Sequence, residues 1–190
     1  MDMRKKGLIA NIVLIQLLIL PAGCDKVKGP DLTGEINLSS QLFGSDGYYL
    51  FGYSYEDGEM YKYSYPGEPP LPDIINEGTR VIEDGETVFY PSLNTPAQVN
   101  GFVLVGEFPS SEDAREFYED YDTVEEGLNF GTPSGIVELN QVWIQKTSSD
   151  NYVKLLVRGI NNFEVESGGD YNEIILEYTY QPDGSASFPD

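Results

Sequence analysis

Residues 48–65 consist of two aromatic runs separated by an acidic turn sequence. In order they read Tyr48-Tyr49-Leu50-Phe51-Gly52-Tyr53-Ser54-Tyr55, Glu56-Asp57-Gly58-Glu59 and Met60-Tyr61-Lys62-Tyr63-Ser64-Tyr65. Aromatic residues favour strands, and Asp-Gly favours a tight turn because Gly adopts positive φ at no steric cost. Side chains two residues apart on a strand share a face, so Tyr61, Tyr63 and Tyr65 lie together. We therefore predict a β-hairpin over this stretch.

The same alternation of strand and turn recurs further along the chain. A second hairpin is predicted by Thr79-Arg80-Val81-Ile82, Glu83-Asp84-Gly85-Glu86 and Thr87-Val88-Phe89-Tyr90. The run Phe102-Val103-Leu104-Val105 is apolar without interruption, which predicts a central strand buried on both faces. Towards the C-terminus, strands are predicted over 141–147, 152–160 and 171–180. The connections between them are short, so we expect these strands to pair antiparallel.

One amphipathic helix is predicted after Ser110. Ser110 and Asp113 stand at capping-box spacing, which satisfies a backbone N–H at the start of a helix. The apolar positions that follow recur at helical spacing and form one stripe, made of Ala114, Phe117, Tyr118 and Tyr121. The predicted fold class is therefore α+β and mainly β: an antiparallel meander sheet of hairpins with one amphipathic helix packed on it.

The N-terminus is organised like a bacterial lipoprotein signal peptide. A basic start is followed by an apolar run over 8–20, whose helical length of about 20 Å is too short to span a bilayer. The run ends Leu20-Pro21-Ala22-Gly23-Cys24, which resembles the lipobox, with Pro21 in place of the usual leucine. The resemblance implies cleavage before Cys24 and lipidation of that residue. Two or more acyl chains give a lasting membrane anchor.

These features predict three segments and a location. A signal peptide occupies 1–23, a short tether occupies 24–34, and a single β-rich domain occupies 35–190. We expect the protein in the cell envelope, attached to a membrane through the lipid on Cys24. The domain would face either the periplasm or the cell exterior.

Three C-terminal segments carry a family resemblance. They read Val142-Trp143-Ile144-Gln145-Lys146-Thr147, Asn151-Tyr152-Val153-Lys154-Leu155 and Glu177-Tyr178-Thr179-Tyr180-Gln181-Pro182-Asp183-Gly184-Ser185. They resemble the end of HmuY-type lipoproteins, which are β-rich haem-binding proteins of the bacterial surface. The resemblance implies a β-rich fold and a surface location. Ligation of haem by paired His or paired Met does not carry over, because the chain has no His and Met60 is the only Met after the signal peptide.

Composition excludes several classes of function. The 190 residues include no His and one Cys, which excludes Ser-His-Asp triads and His-ligated zinc or haem. The formal charge is −21, which argues against a nucleic-acid partner because phosphates require clustered cations. We expect no catalytic residues, no metal and no cofactor, since the acidic turns lack EF-hand spacing and the many carboxylates single out no pair. The acid excess fits a solvated surface or adaptation to high salt.

The tyrosines of the first hairpin are the most suggestive residues for function. A two-stranded hairpin at a sheet edge cannot bury both faces, and exposed Tyr gives rigid contact surface at low entropic cost. The candidate contact residues are Tyr48, Tyr53, Tyr55, Tyr61, Tyr63 and Tyr65. The alternative interpretation is that these rings form core and cross-strand pairs.

Two binding functions follow from these candidates. The first is a non-catalytic interaction or structural module at the membrane surface, with a protein partner. The second is a module that binds a small ligand, either a carbohydrate or a flat aromatic molecule, through the Tyr-rich hairpin. A concave aromatic pocket would favour the second function, and an exposed Tyr patch without a cavity would favour the first.

Overall fold

A computed structural model describes residues 29–45, 47–97, 101–131, 134–165 and 169–189. The predicted signal peptide and Cys24 lie outside these ranges. The elements are β1 (Thr33–Ser39), β2 (Leu50–Ser54), β3 (Glu59–Tyr63), β4 (Ile74–Asn76), β5 (Thr79–Glu83), β6 (Glu86–Tyr90), β7 (Leu93–Asn94), β8 (Phe102–Glu107), α1 (Ser111–Asp120), β9 (Gln141–Lys146), β10 (Tyr152–Phe163) and β11 (Tyr171–Gln181). Within the same ranges, no helix has the length and apolar character needed to cross a membrane.

The strands form two antiparallel sheets and a separate hairpin. The larger sheet has the order β1-β11-β10-β9-β8, the smaller has the order β3-β2-β4-β7, and β5 pairs with β6. Strands β8 to β11 follow one another as a meander, whereas β1 occupies the far edge and pairs with β11. The predicted fold class is confirmed, since the chain is mainly β with antiparallel sheets and one short helix packed on a sheet. β1 begins at Thr33, two residues before the predicted start of the domain.

The main core contains side chains from both sheets. Strand β11 alternates, and its inward positions are Ile174, Leu176, Tyr178 and Tyr180. The smaller sheet and its flanking residues contribute Tyr53, Tyr55, Ile74 and Leu93. Burying each large apolar side chain of this kind stabilises the fold by about 1.5–3 kcal/mol. The period-two pattern of β11 is therefore the sequence feature that assigns one face of the larger sheet to the core.

The helix α1 covers the other face of the larger sheet. Ser110 is the N-cap, and its hydroxyl oxygen accepts a hydrogen bond from the Asp113 backbone N–H, as the capping-box spacing predicts. Ala114 and Tyr118 are buried against Val142 and Leu156 of the sheet. The apolar stripe of the helix thus packs on the larger sheet as expected, and it shields this face of the sheet from solvent.

The prediction for the apolar run at 102–105 is wrong in one respect. β8 is an edge strand of the larger sheet and not a central one, and Leu104 on it is 40% exposed. The run is apolar because its side chains divide between two clusters. Phe102 enters the main core, whereas Val103 and Val105 pack against a smaller cluster around Val124. A partly covered edge strand thus has the same apolar composition as a central strand.

Asp73 immediately precedes β4 and is mostly buried. One of its carboxylate oxygens accepts from the Tyr55 backbone N–H at 3.0 Å, and its carbonyl accepts from Gln145 at 2.6 Å. Removal from water raises the pKa of Asp73 above the ordinary aspartate value. Because the pKa of Asp73 is raised in the folded state, its protonated carboxyl contributes fully to the free energy of unfolding below the unfolded-state pKa. That contribution is lost as pH rises through the folded-state pKa.

The substitution Asp73→Asn tests this pH dependence. Asn keeps an oxygen acceptor for Tyr55 without a charge, so the variant should have the higher free energy of unfolding at pH 7. The difference from wild type should vanish as pH falls below about 4, the unfolded-state pKa. Guanidinium unfolding of the full-length chain, followed by the fluorescence of Trp143, measures the free energy of unfolding of wild type and variant at each pH. Glu59→Gln is the control, since Glu59 is exposed. A difference that does not change with pH would contradict the assignment.

Candidate functional site

An open groove of about 1080 Å³ lies where several parts of the fold meet. The first hairpin, β2–β3, supplies one part of its lining, and the second hairpin, β5–β6, supplies another. The remainder comes from residues after β1, from β4 and the residues that follow it, and from the connection between β10 and β11. Its volume lies just above the range of about 300–1,000 Å³ that is usual for drug-sized ligands. The groove therefore has room for a ligand larger than a single ring.

Aromatic rings dominate the lining of the groove. They are Tyr48, Tyr49, Tyr63, Tyr65 and Phe89. Tyr65 is 90% exposed and Tyr48 is 67% exposed, so these two rings present contact surface to solvent. Tyr49, Tyr63 and Phe89 are half-buried. The groove thus combines half-buried rings, which other residues pack against, with rings that are largely exposed to solvent.

Tyr49 is held in place by the residues around it. Its backbone exchanges two hydrogen bonds with Phe43, at 2.8 and 3.0 Å, and the two rings stack with centroids 5.8 Å apart. Phe51 meets both rings edge-on, at 5.8 Å from Phe43 and 5.6 Å from Tyr49. The ammonium of Lys62 lies 4.0 Å from the centre of the Tyr49 ring. This packing fixes the ring before any ligand arrives, which lowers the entropic cost of binding.

Phe89 is positioned by the base of the second hairpin. It lies opposite Arg80 in the β5–β6 register, and the guanidinium carbon of Arg80 is 5.9 Å from the centre of its ring. Gly78 precedes β5 with φ of +67°, and a Cβ at that position would lie 2.2 Å from Cζ of Phe89. Glycine is therefore required there, both for the backbone conformation and for the place of the ring.

Polar groups supply hydrogen-bonding capacity between the rings. Hydroxyls and an amide come from Ser64, Thr79 and Gln41, and two carboxylates come from Glu77 and Asp170. Glu77 accepts from the Asn94 amide at 2.6 Å, and Asp170 accepts from the Val165 backbone N–H at 2.9 Å. Burial, followed by the nearby charge of Glu77, raises the pKa of Tyr63, so its hydroxyl stays protonated at neutral pH.

The structure separates the predicted contact tyrosines into three groups. Tyr48, Tyr63 and Tyr65 line the groove. Tyr61 does not line it; its hydroxyl donates to Asp57 at 2.8 Å, and this hydrogen bond raises its pKa. Tyr53 and Tyr55 are buried in the main core.

Burial removes Tyr53 and Tyr55 from the predicted contact surface. β2 is an inner strand of the smaller sheet, between β3 and β4, and both Tyr53 on β2 and Tyr55 just after it pack in the main core with side chains of the larger sheet. Their hydroxyls find partners inside, since Tyr53 bonds to Tyr178 at 3.0 Å and Tyr55 donates to Gln145 at 3.0 Å. These two residues fit the alternative interpretation of the cluster as core.

Sequence reasoning did not identify Phe89, Arg80 or Lys62 as site residues. The pattern of the second hairpin does place Arg80 and Phe89 on paired strands, so their proximity to each other was detectable from the sequence. Nothing in the pattern shows that the second hairpin meets the first. Within the described ranges, no three acidic or Cys side chains are grouped so as to hold a metal ion.

Comparisons with known proteins add little to this geometry. The chain matches no family model and no curated protein. One solved chain, titled "Virion of native gene transfer agent (GTA) particle", is 10% identical, with 86% of this chain and 87% of that chain covered and a TM-score of 0.19. A TM-score this low supports no statement about fold or function.

Proposed function

We propose that this protein is a lipid-anchored, non-catalytic binding module of the cell envelope whose groove binds a carbohydrate chain. The observation that carries the proposal is the groove itself, with exposed Tyr48 and Tyr65 beside the supported rings of Tyr49 and Phe89. The apolar face of a sugar ring stacks on such aromatic rings, and its hydroxyls need polar partners, which Ser64 and the other polar lining residues supply.

Two features favour a carbohydrate over a flat aromatic ligand. A flat ligand is best held in a narrow slot that buries most of its surface. This groove is wide and leaves Tyr65 almost fully exposed. Its five rings come from three segments of the chain, which suits an elongated ligand with several rings of its own.

A protein partner is the second candidate, and it rests on a different observation. Large apolar side chains in the groove lining and on the second hairpin are exposed, with Leu42 at 59% and Ile82 at 77%. Ile82 lies in β5 and outside the groove lining. Native mass spectrometry of the acylated protein, extracted gently from its own cells, distinguishes the two. A copurifying glycan mass supports carbohydrate binding, and a stoichiometric protein complex supports the second candidate.

Substituting the exposed groove tyrosines should weaken glycan binding. Tyr48→Ala and Tyr65→Ala each remove a ring contact worth about 1 kcal/mol, so each should lower affinity about fivefold. Isothermal titration of the full-length chain in detergent micelles, with neutral and acidic hexasaccharides as probes, measures the effect. Tyr61→Ala is the matched control, because Tyr61 lies on the same hairpin outside the groove. Equal loss in Tyr61→Ala would contradict the assignment of the groove.

The same incubations test whether the module is non-catalytic. Two carboxylates line the groove, and paired carboxylates are the groups that glycosidases use. We expect no release of reducing ends from any bound hexasaccharide over several hours. Release that is abolished by Glu77→Gln would show that the protein is a hydrolase.

A further inference from the structure

Two exposed cations without a carboxylate partner lie in or beside the groove: Arg80 lines it, and Lys62, which is not a lining residue, lies against the Tyr49 ring. The chain carries a formal charge of −21, so cations are scarce. In the described ranges, Arg115 and Arg158 both pair with Glu177, at 2.7 and 3.3 Å, and Lys146 pairs with Asp150 at 2.9 Å. Lys154 is buried and donates to the backbone carbonyl of Tyr121 at 2.9 Å. Lys62 and Arg80 are the exposed cations of these ranges that form no ion pair.

Each of these two cations lies over an aromatic ring that lines the groove. The Lys62 ammonium lies 4.0 Å from the centre of the Tyr49 ring, and the Arg80 guanidinium carbon lies 5.9 Å from the centre of the Phe89 ring. The two rings belong to different segments, so the charges come from two separate hairpins. A cation over an aromatic face keeps its outer N–H donors free for a ligand.

We propose, resting on the carbohydrate-binding function above, that the ligand is an acidic polysaccharide whose uronic-acid carboxylates bind Lys62 and Arg80. A guanidinium matches the geometry of a carboxylate with two parallel N–H donors, and an ammonium acts as a point charge. A protein this acidic repels polyanions over most of its surface, so a carboxylated ligand is admitted where unpaired cations stand. A polymer with a carboxylate on successive sugars offers acid groups to both hairpins.

The carboxylates of the groove have a complementary role. Glu77 and Asp170 would repel the acid groups of the ligand, and they accept hydrogen bonds from sugar hydroxyls. The ligand is therefore oriented with its carboxylates at Lys62 and Arg80 and its hydroxyls at Glu77 and Asp170. This arrangement favours an acidic glycan, because a neutral glycan forms no charge-assisted contact with either cation.

The test compares each acidic hexasaccharide with its own neutral form. The probes are hexamers of galacturonate, guluronate and glucuronate-containing chains, each beside its carboxyl-reduced form, together with neutral hexaoses and a sulfated hexasaccharide. We expect an acidic probe to bind the full-length chain in micelles at least tenfold more tightly than its reduced form. Lys62→Gln and Arg80→Gln should each lower that affinity about fivefold, as loss of one charge-assisted contact, and should lower binding of the carboxyl-reduced form by less.

Lys146→Gln is the matched control, because Lys146 is paired with Asp150 and does not line the groove. Binding of neutral and acidic forms with equal affinity, unaffected by Lys62→Gln and Arg80→Gln, would overturn the acidic ligand and leave carbohydrate binding standing. Binding of the sulfated probe alone would overturn the uronic-acid assignment. Binding of no probe would overturn both proposals. All three variants change exposed or half-exposed side chains, and unchanged fluorescence of Trp143 verifies that each one folds.

Discussion

Replacing Tyr55 with alanine should lower the free energy of unfolding by about 4–5 kcal/mol, the upper range for truncating a buried aromatic side chain. Tyr55 is fully buried. Its ring lies 5.4 Å from Tyr53, 5.3 Å from Tyr178 and 5.6 Å from Tyr180, centroid to centroid. The substitution leaves a cavity between the sheets, which the rigid strands on either side cannot close.

The hydroxyl of Tyr55 adds a smaller and separable contribution. It donates to the side-chain oxygen of Gln145 at 3.0 Å, and the Gln145 amide donates in turn to the carbonyl of Asp73. Tyr55→Phe keeps the ring and leaves the Gln145 oxygen without this donor, which should cost about 1–2 kcal/mol. Guanidinium unfolding of the full-length chain, followed by the fluorescence of Trp143, measures both variants.

Tyr61→Ala is the control for these substitutions. It changes a tyrosine of the same hairpin that lies outside the core, and it should cost at most about 1 kcal/mol. Costs that are equal for Tyr55→Ala and Tyr61→Ala would contradict the placement of Tyr55 in the core. They would restore the prediction that Tyr55 is a surface contact residue.

Replacing Asn76 with alanine should lower the free energy of unfolding by about 3 kcal/mol, because buried acceptors lose their donor. Asn76 is the last residue of β4 and is fully buried. Its amide donates to the carbonyl of Leu38 at 3.1 Å and to the side-chain oxygen of Asn172 at 2.8 Å. It therefore links the smaller sheet to both β1 and β11 of the larger sheet.

Asn94→Ala provides a matched control for this prediction. Asn94 lies on β7, the neighbour of β4, and its amide bonds to the exposed side chain of Glu77. We expect that substitution to cost about 0.5–1 kcal/mol, as for a partly exposed hydrogen bond. Chemical denaturation at pH 7 compares the free energies of unfolding of Asn76→Ala and Asn94→Ala. An Asn76→Ala variant as stable as Asn94→Ala would show that the two sheets are held together without this link.

Most local elements of the fold were predictable from the sequence, whereas β1, β4, β7 and the long-range pairing of the strands were not. Turn residues and period-two patterns located both hairpins and β9 to β11, and the Ser110 cap located α1. Those signals act over a few residues. The pairing of β1 with β11 joins Thr33 to Thr179, and no short-range pattern specifies such a contact. For the same reason, the division into two sheets became visible only in the structure.

The candidate site was predictable in part. Exposed Tyr48 and Tyr65 follow from the excess of rings in the first hairpin. The side of β2 that faces the core depends on the larger sheet, so Tyr53 and Tyr55 could not be separated from the surface rings by spacing alone. Arg80 and Phe89 belong to a hairpin whose position next to the first is set by tertiary packing. Lipidation of Cys24, the likeness to HmuY-type lipoproteins and salt adaptation stay predictions.

The most direct measurement of the central claim is an amide NMR titration of the full-length chain in micelles with a galacturonate hexamer. Binding in the groove should shift resonances of residues 48–49, 62–65, 77–80 and 89, and those of the core strands should stay in place. Lys62→Gln should reduce the shifts at a fixed ligand concentration. Shifts centred on α1 or on the edge strand β8, or no shifts at millimolar hexamer, would contradict the claim that this groove binds an acidic glycan.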